Sequence, residues 1–135
     1  MINPLSFIKQ SIALSKFKNQ ESFDRIYPAF NRVIRIIPKE YIAGTIDEML
    51  FQDSSEQKLY QSILKIEPDI KRSAEKGNYD EILQLLETLC DDINAFFDNV
   101  MVMDSQVKLR DNRLALLYRL AKMLFLVADF SKLVV

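Results

Sequence analysis

The feature that most constrains this chain is how rarely glycine or proline interrupts it. Its 135 residues include two glycines, Gly44 and Gly77, and four prolines. Sandwiches and barrels need turn residues about every 8 to 12 positions, so a chain this poor in turn residues is typical of long helices. The length suits one globular domain with its own core. We therefore predict an all-α fold, in a single domain over residues 1–135.

Apolar residues recur at helical spacing in five segments. The clearest stripe, Phe23–Ile37, predicts a helix that begins near Ser22 and ends before Pro38. Pro28 lies inside this stripe and predicts a kink or a late start. The other predicted helices cover residues 4–18, 54–77, 78–103 and about twenty residues from Val107 onward. Since helix propensity alone leaves short helices marginal in water, packing of these stripes must stabilise the fold.

Short polar segments separate the predicted helices. Ser54 and Gln57 have the spacing of a capping box at the start of a helix. Asn78 and Glu81 have the same spacing. The segment 104–105 predicts a turn between the last two helices, and two long helices joined by a short loop form an antiparallel hairpin. The prediction is thus a helical bundle of about five main helices with a C-terminal antiparallel helix hairpin.

Composition removes several kinds of catalytic site. The chain has no histidine, and so no imidazole base and no histidine metal ligand. Two isolated glycines cannot form a glycine-rich phosphate loop. Cys90 has no partner cysteine and is interpreted as a small buried residue. No apolar run approaches the roughly 20 residues that span a bilayer, and we expect a cytoplasmic protein with no membrane partner and no cofactor of its own.

The net charge of −1 conceals an uneven order of charges. Residues 1–39 contain seven basic and two acidic residues, residues 40–104 contain five and fifteen, and residues 105–135 contain six and two. If both basic ends fold onto one side, they present a positive face to an anion. If the blocks interleave in space, they cancel. The sequence leaves both arrangements open.

Two of the predicted helices carry rows of basic residues. In the second helix they are Arg25, Arg32, Arg35 and Lys39, and in the last helix Lys108, Arg110, Arg113, Arg119 and Lys122. The planar fork of arginine suits phosphates and base edges, although any solvated helix face carries such residues. Arg113 also has a structural interpretation, in which it pairs with Asp98 and Asn99 across the hairpin. That interpretation predicts a lower melting temperature for Arg113→Ala.

The end of the chain resembles a known family. Residues 96–103 and 112–117, followed by the tail 127–131, are similar to the closing signature of the C-terminal anticodon-binding domain of the β subunit of bacterial glycyl-tRNA synthetase. Weaker similarity extends upstream through residues 32–33, 50–51, 58–60 and 77–79, so that it covers most of the chain. The related domain of arginyl-tRNA synthetase shares the helical hairpin pattern of this DALR-type domain, in which a phenylalanine-rich helix end is followed by an arginine-leucine-alanine-leucine run.

The resemblance implies a helical bundle that binds the anticodon arm of glycine tRNA, in a synthetase built from α and β subunits. It implies that aminoacylation, with ATP and glycine, takes place elsewhere in the complex, so that this chain alone is not catalytic. The expected partners are tRNA, the rest of the β subunit and the α subunit. Whether the chain is a fragment or a stand-alone copy stays open. The alternative is a protein interaction module within a synthetase, with little RNA contact.

The basic rows and the family pattern coincide on the second and last helices. The predicted RNA-binding residues are Arg32, Arg35, Lys39, Lys108, Arg110 and Arg113. Recognition of unstacked bases needs stacking or hydrogen-bonding groups, for which Tyr27, Asn31 and Tyr41 are the candidates.

Overall fold

The computed structural model describes residues 20–134, and for residues 20, 22, 79 and 126–134 it describes the backbone only. This range contains four α-helices and no strand, which confirms the all-α prediction. The helices are α1 (Gln20–Ile36), α2 (Ser54–Glu75), α3 (Tyr79–Asn99) and α4 (Val107–Val134), with a 3-10 turn, η1 (Glu48–Leu50), before α2. The predicted helix over residues 4–18 lies outside the described residues, so the count of about five main helices is confirmed only for these four.

The start of α2 is capped one residue earlier than the sequence pattern indicates. The Asp53 carboxylate accepts a hydrogen bond from the Ser55 backbone N–H at 2.9 Å, and Glu56 Oε1 accepts one from the Asp53 N–H at 3.1 Å. The box predicted from Ser54 and Gln57 is therefore wrong. The carboxylates of Asp53 and Glu56 are stronger hydrogen-bond acceptors than the hydroxyl of Ser54 and the amide of Gln57. Hydrogen bonds from Ser55 also lower the pKa of Asp53.

A tight turn joins α2 to α3. Gly77 takes a positive φ of 68°, and its N–H donates to Ala74 O while the Asn78 N–H donates to Ser73 O at 2.9 Å. This Schellman arrangement ends α2 and needs the conformational freedom of glycine at that position. Asn78 Oδ1 then accepts from the Glu81 N–H at 3.3 Å, which confirms the predicted cap of α3.

Side-chain contacts define the direction of each helix. Ser62 of α2 donates to Asp92 of α3 at 2.6 Å, close to the middle of an antiparallel pair. Between α1 and α3, contacts advance in the same direction along both helices, from Arg25 with Glu87 to Arg32 with Phe97. These two helices are therefore parallel.

The pair formed by α2 and α4 is also parallel. Glu56 meets Arg113 near both N-termini, and Glu67 meets Arg119 further along. Since α2 runs opposite to α3, α4 does so too.

The last two helices are antiparallel but do not pack as the predicted hairpin. Both α3 and α4 pack extensively against α1 and α2 and only weakly, if at all, against each other, so they occupy opposite corners of the bundle. The reason lies in their connection: α3 ends at Asn99, not at Met103, and residues 100–106 are irregular, with Val100 and Val102 buried. Seven extended residues span roughly 20 Å, enough to cross the end of a bundle.

One apolar core joins all four helices. The α1 stripe supplies Phe23, Ile26, Phe30 and Val33, all of which are buried, as its spacing predicts. Burial of such stripes stabilises the bundle by about 25 cal/mol per Å² of apolar surface. None of the described helices has the length and apolar character needed to cross a membrane.

The directions of the helices bring two long connections to one end of the bundle. We call this the loop end; it comprises the last turn of α1, the connector 37–53, the last turn of α3, the link 100–106 and the first turns of α2 and α4. All six predicted RNA-binding residues belong to the loop end or lie one turn from it. The fold therefore brings these six residues of the two basic rows towards the same end of the bundle.

Candidate nucleic-acid interface

The three candidates that follow one another from α1 into the connector are exposed. The Arg32 guanidinium carbon lies 4.2 Å from the centroid of the Phe97 ring, a cation–π contact between α1 and α3. Arg35 and Lys39 form no ion pair with any carboxylate of the described residues. Their charges are therefore available to an anionic ligand.

Two of the α4 candidates also face solvent. Lys108 is exposed and has no carboxylate partner within the described part of the chain. Arg110 is partly exposed, and its Nε lies 4.0 Å from the Asp111 carboxylate, the weak end of the range for an exposed ion pair. Both side chains can reach a phosphate without breaking a strong contact.

Arg113, by contrast, is part of the interior. Its side chain is 6% exposed, its Nη1 donates to Met101 O at 2.8 Å, and its Nε lies 3.6 Å from the 1%-exposed carboxylate of Glu56. Asp104 accepts a longer bond, at 3.5 Å. This geometry agrees with the structural interpretation of Arg113, but its partners are Glu56, Met101 and Asp104 rather than the Asp98 and Asn99 expected from a hairpin.

The wider charge pattern is interleaved. Arg25 pairs with Glu21 at 3.0 Å and with Glu87 at 2.9 Å, and both contacts raise its pKa, Glu87 foremost. Exposed carboxylates, Glu40 and Asp98 among them, also belong to the loop end. Among the described residues, the candidate cations of α1, the connector and α4 lie towards one end, as the first arrangement requires, whereas Arg25 is neutralised by carboxylates, as the second requires.

The three candidates for base recognition differ in exposure. Tyr27 is exposed and its ring lies 5.7 Å from that of Phe23. Asn31 is half-buried. Tyr41 is half-buried, with its ring 5.6 Å from the Tyr118 ring and its hydroxyl donating to the Asp111 carbonyl at 3.5 Å. Tyr41 is therefore a structural contact between the connector and α4.

A second contact with the connector was not apparent from the sequence. The Asp47 N–H donates to Asn112 Oδ1 at 2.7 Å, and Asn112 Nδ2 donates to the Asp47 carbonyl at 3.0 Å. The buried Asn112 amide thus satisfies both backbone groups of one connector residue. The only sequence signal was its polar character inside the otherwise apolar stripe of α4.

A cleft that no sequence pattern indicated lies on the side of the bundle. It has a volume of about 850 Å³ and lies between the connector, α2 and α4. Tyr60 and Tyr118 contribute rings, and Lys71, Arg119 and Lys122 contribute cations. Arg119 and Lys122 belonged to the basic row of the last helix, but Lys71 comes from the acidic middle of the chain, and only the pairing of α2 with α4 brings it to them.

Cys90 is a free, half-buried cysteine in α3. Burial raises the pKa of Cys90 to about 11, aided by the charges of Glu87 and Asp91, which keeps the group a thiol at neutral pH. No group of three or more potential metal ligands occurs within residues 20–134.

An all-α bundle that brings exposed arginine and lysine side chains to one end is a suitable framework for binding nucleic acid. The sequence profile of the DALR anticodon binding domain matches residues 26–128, which include all or part of each described helix. This chain therefore belongs to the DALR anticodon-binding domain family.

Curated relatives extend this result. The chain is 38% identical to the glycine–tRNA ligase β subunit of Dictyoglomus thermophilum over 122 residues, which is 89% of this chain and 18% of that protein. It is 38% identical to the β subunit of Thermodesulfovibrio yellowstonii over 134 residues, 98% of this chain and 20% of that protein. It is 36% identical to the β subunit of Rickettsia africae over 121 residues, which is 90% of this chain and 18% of that protein.

The chain thus spans about a fifth of the length of these relatives. The resemblance to glycyl-tRNA synthetase β subunits is confirmed over most of its length. The comparison with solved structures found no significant match to this chain.

Proposed function

We propose that this chain binds the anticodon arm of glycine tRNA as the anticodon-binding module of a glycine–tRNA ligase β subunit. The observation that carries the proposal is the family match across residues 26–128. Arg35, Lys39 and Lys108 at the loop end support it, since they are exposed and have no carboxylate partner among residues 20–134, and phosphate contacts supply much of the affinity in nucleic-acid binding.

The six predicted residues divide into two roles within this proposal. Arg35, Lys39 and Lys108 contact phosphates directly, and Arg32 and Arg110 join them once RNA replaces their weak contacts with Phe97 and Asp111. Arg113 acts indirectly, because its guanidinium is buried and holds the link 100–106 against α2. It is a positioning residue for the loop end.

The proposal assigns the chemistry to another part of the ligase. ATP and glycine are then bound by the catalytic part, and this chain holds neither. Its partners are the tRNA, the rest of the β subunit and the α subunit, and the proposed site of action is the cytoplasm, where tRNA is charged.

A titration with RNA tests the proposal. Fluorescence anisotropy would compare an anticodon stem-loop of glycine tRNA with the same stem-loop carrying another anticodon, at several salt concentrations. We expect tighter binding of the glycine stem-loop, and a logarithmic salt slope of about 3.5 to 4.5 from the five phosphate contacts proposed at the loop end. Equal affinity for both stem-loops would contradict recognition of the glycine anticodon, and absence of binding would contradict the proposal as a whole.

The protein interaction alternative has one observation in its favour. Met101, Met103 and Val107, in and beside the link between α3 and α4, are large apolar residues that remain exposed, and exposed apolar surface is characteristic of contact sites. We propose that the rest of the β subunit makes contact here, in addition to RNA binding. Co-purification with the remaining β subunit, lost in Met101→Ser with Met103→Ser while RNA affinity is kept, would support this contact.

A further inference from the structure

The cleft on the side of the bundle has the composition of a nucleotide site. Its floor is apolar, formed by Ile46, Ala115 and Met123, and the rings of Tyr60 and Tyr118 stand in its walls. Aromatic rings beside cations are how proteins bind unpaired nucleotides, since every base has a face that stacks. A purely apolar ligand would leave the surrounding charges without partners.

The charges around the cleft leave an excess of positive charge. Arg119 donates to both oxygens of Glu67, each at 2.7 Å, and the Glu67 contact raises the pKa of Arg119. This bidentate pair is internally neutral. Lys71 and Lys122 also line the cleft, and neither forms an ion pair with a carboxylate of the described residues. Two lysine charges therefore remain for an anion.

Contacts within the protein hold the cleft in shape. The connector supplies Ala43, Gly44 and Thr45 as the outer wall. Tyr41 fixes this wall, because its hydroxyl accepts from the Gly44 N–H at 3.3 Å while its ring packs on Tyr118. On the other side, the Asn112 amide binds the backbone of Asp47. The wall is therefore attached at both ends, and a ligand entering the cleft meets a preformed surface.

The position of the cleft suits the same RNA that contacts the loop end. Arg110 and Arg119 belong to one helix, and nine residues of helix rise roughly 14 Å. Both sites thus lie within the reach of a single RNA loop.

From these observations we propose that the cleft binds one unstacked base of a single-stranded RNA loop, with Tyr118 as the stacking surface and Lys71 and Lys122 as contacts for its phosphates. This inference rests on the proposed function and adds a second contact to it. The Lys122 ammonium now lies 5.8 Å from the centroid of the Tyr118 ring. A base that takes its place on the ring leaves Lys122 free to bind the adjoining phosphate.

Two pairs of variants test the stacking and the charge separately. Tyr118→Leu removes the aromatic ring, and Tyr118→Phe keeps it. Lys71→Gln with Lys122→Gln removes two exposed charges, and Lys65→Gln, an exposed lysine of α2 outside the cleft, is the matched control. The probe is the glycine tRNA anticodon stem-loop, with 2-aminopurine placed at one loop position at a time.

The expected results differ between the pairs. Tyr118→Leu weakens binding about 5- to 100-fold, the range for one stacked base, and removes the quenching of 2-aminopurine at one loop position. Tyr118→Phe binds as the unchanged protein does. The double lysine variant lowers the salt slope by about 1.4, or two single-strand phosphate contacts, and Lys65→Gln leaves the slope unchanged.

The outcomes also separate this inference from the proposed function. If the unchanged protein binds the stem-loop and all cleft variants behave as Lys65→Gln does, the cleft inference is overturned and the function stands. If the unchanged protein does not bind, both fail. Circular dichroism verifies the fold of Tyr118→Leu; should that variant unfold, an unchanged slope in the double lysine variant still overturns the inference.

Discussion

The end of α1 and the start of α4 each contribute three candidate cations to the loop end, but they use them differently. The α1 side, with the connector, leaves Arg35 and Lys39 exposed and unpaired among the described residues. On the α4 side, Arg113 is buried against Glu56 and Met101. The difference teaches that spacing along a helix places a cation on the chain, whereas packing decides whether that cation binds a ligand or holds the protein together.

The strongest test of this difference is Arg113→Ala. Removing one partner of a buried ion pair leaves the other charge uncompensated, and we expect the free energy of unfolding to fall by about 3–5 kcal/mol. Urea denaturation followed by circular dichroism measures it. Arg110→Ala, one turn earlier and partly exposed, is the control and should change stability by about 0–1 kcal/mol. Equal losses in the two variants would contradict the distinction.

A smaller loss is expected from Asn112→Ala. The Asp47 N–H and C=O lose their partner, and each unpaired backbone group destabilises the fold, for a total of about 1–3 kcal/mol. Hydrogen exchange at the Asp47 amide should accelerate at the same time. Asn99→Ala serves for comparison, because among the described residues the exposed Asn99 side chain bonds only to Ala95 O in its own helix. Unchanged exchange at Asp47 would show that the connector is held by other contacts.

A substitution of Arg32 tests whether a cation on the α1 side also contributes to stability. Arg32→Gln loses the cation–π contact with Phe97, which is worth about 0.5–1 kcal/mol at an exposed site. A double-mutant cycle with Phe97→Leu measures the coupling between the two side chains. Zero coupling would mean that Arg32 is as free as Arg35 in solution.

The smallest effect on stability is expected from Arg35→Gln combined with Lys39→Gln. Both side chains are exposed, so the free energy of unfolding should stay within about 0.5 kcal/mol of its original value. The salt slope of RNA binding should nevertheless fall by about 1.4 to 1.8, or two phosphate contacts. Loss of stability without a change in slope would reverse the roles assigned to the two sides of the loop end.

The helices were predictable because their signals are local. The α1 stripe of Phe23, Ile26, Phe30 and Val33 repeats at helical spacing, and all four residues are buried in the structure. The Asn78 cap was also predictable from the sequence, since the residues that form its hydrogen bonds lie within one turn. Neither prediction depends on how the helices pack.

The candidate site was less predictable because it depends on contacts between distant residues. The capping box was assigned to Ser54 and Gln57, so Glu56 was overlooked both as a cap and as the partner of Arg113. The hairpin was inferred from a short polar turn, although the buried Val100 and Val102 show that the link belongs to the core. Which of six cations are free follows from these long-range contacts, and sequence spacing does not contain them.

The Asn112 contact with the connector also bears on how the domain can evolve. Its amide binds the peptide groups of Asp47 rather than the side chain, so the contact is indifferent to most substitutions in the segment it anchors. The exposed residues 42–45 can therefore diverge while the backbone path beside the cleft is conserved. Substitutions in this wall therefore change the side chains that face a ligand in the cleft while the packing of the four helices is kept.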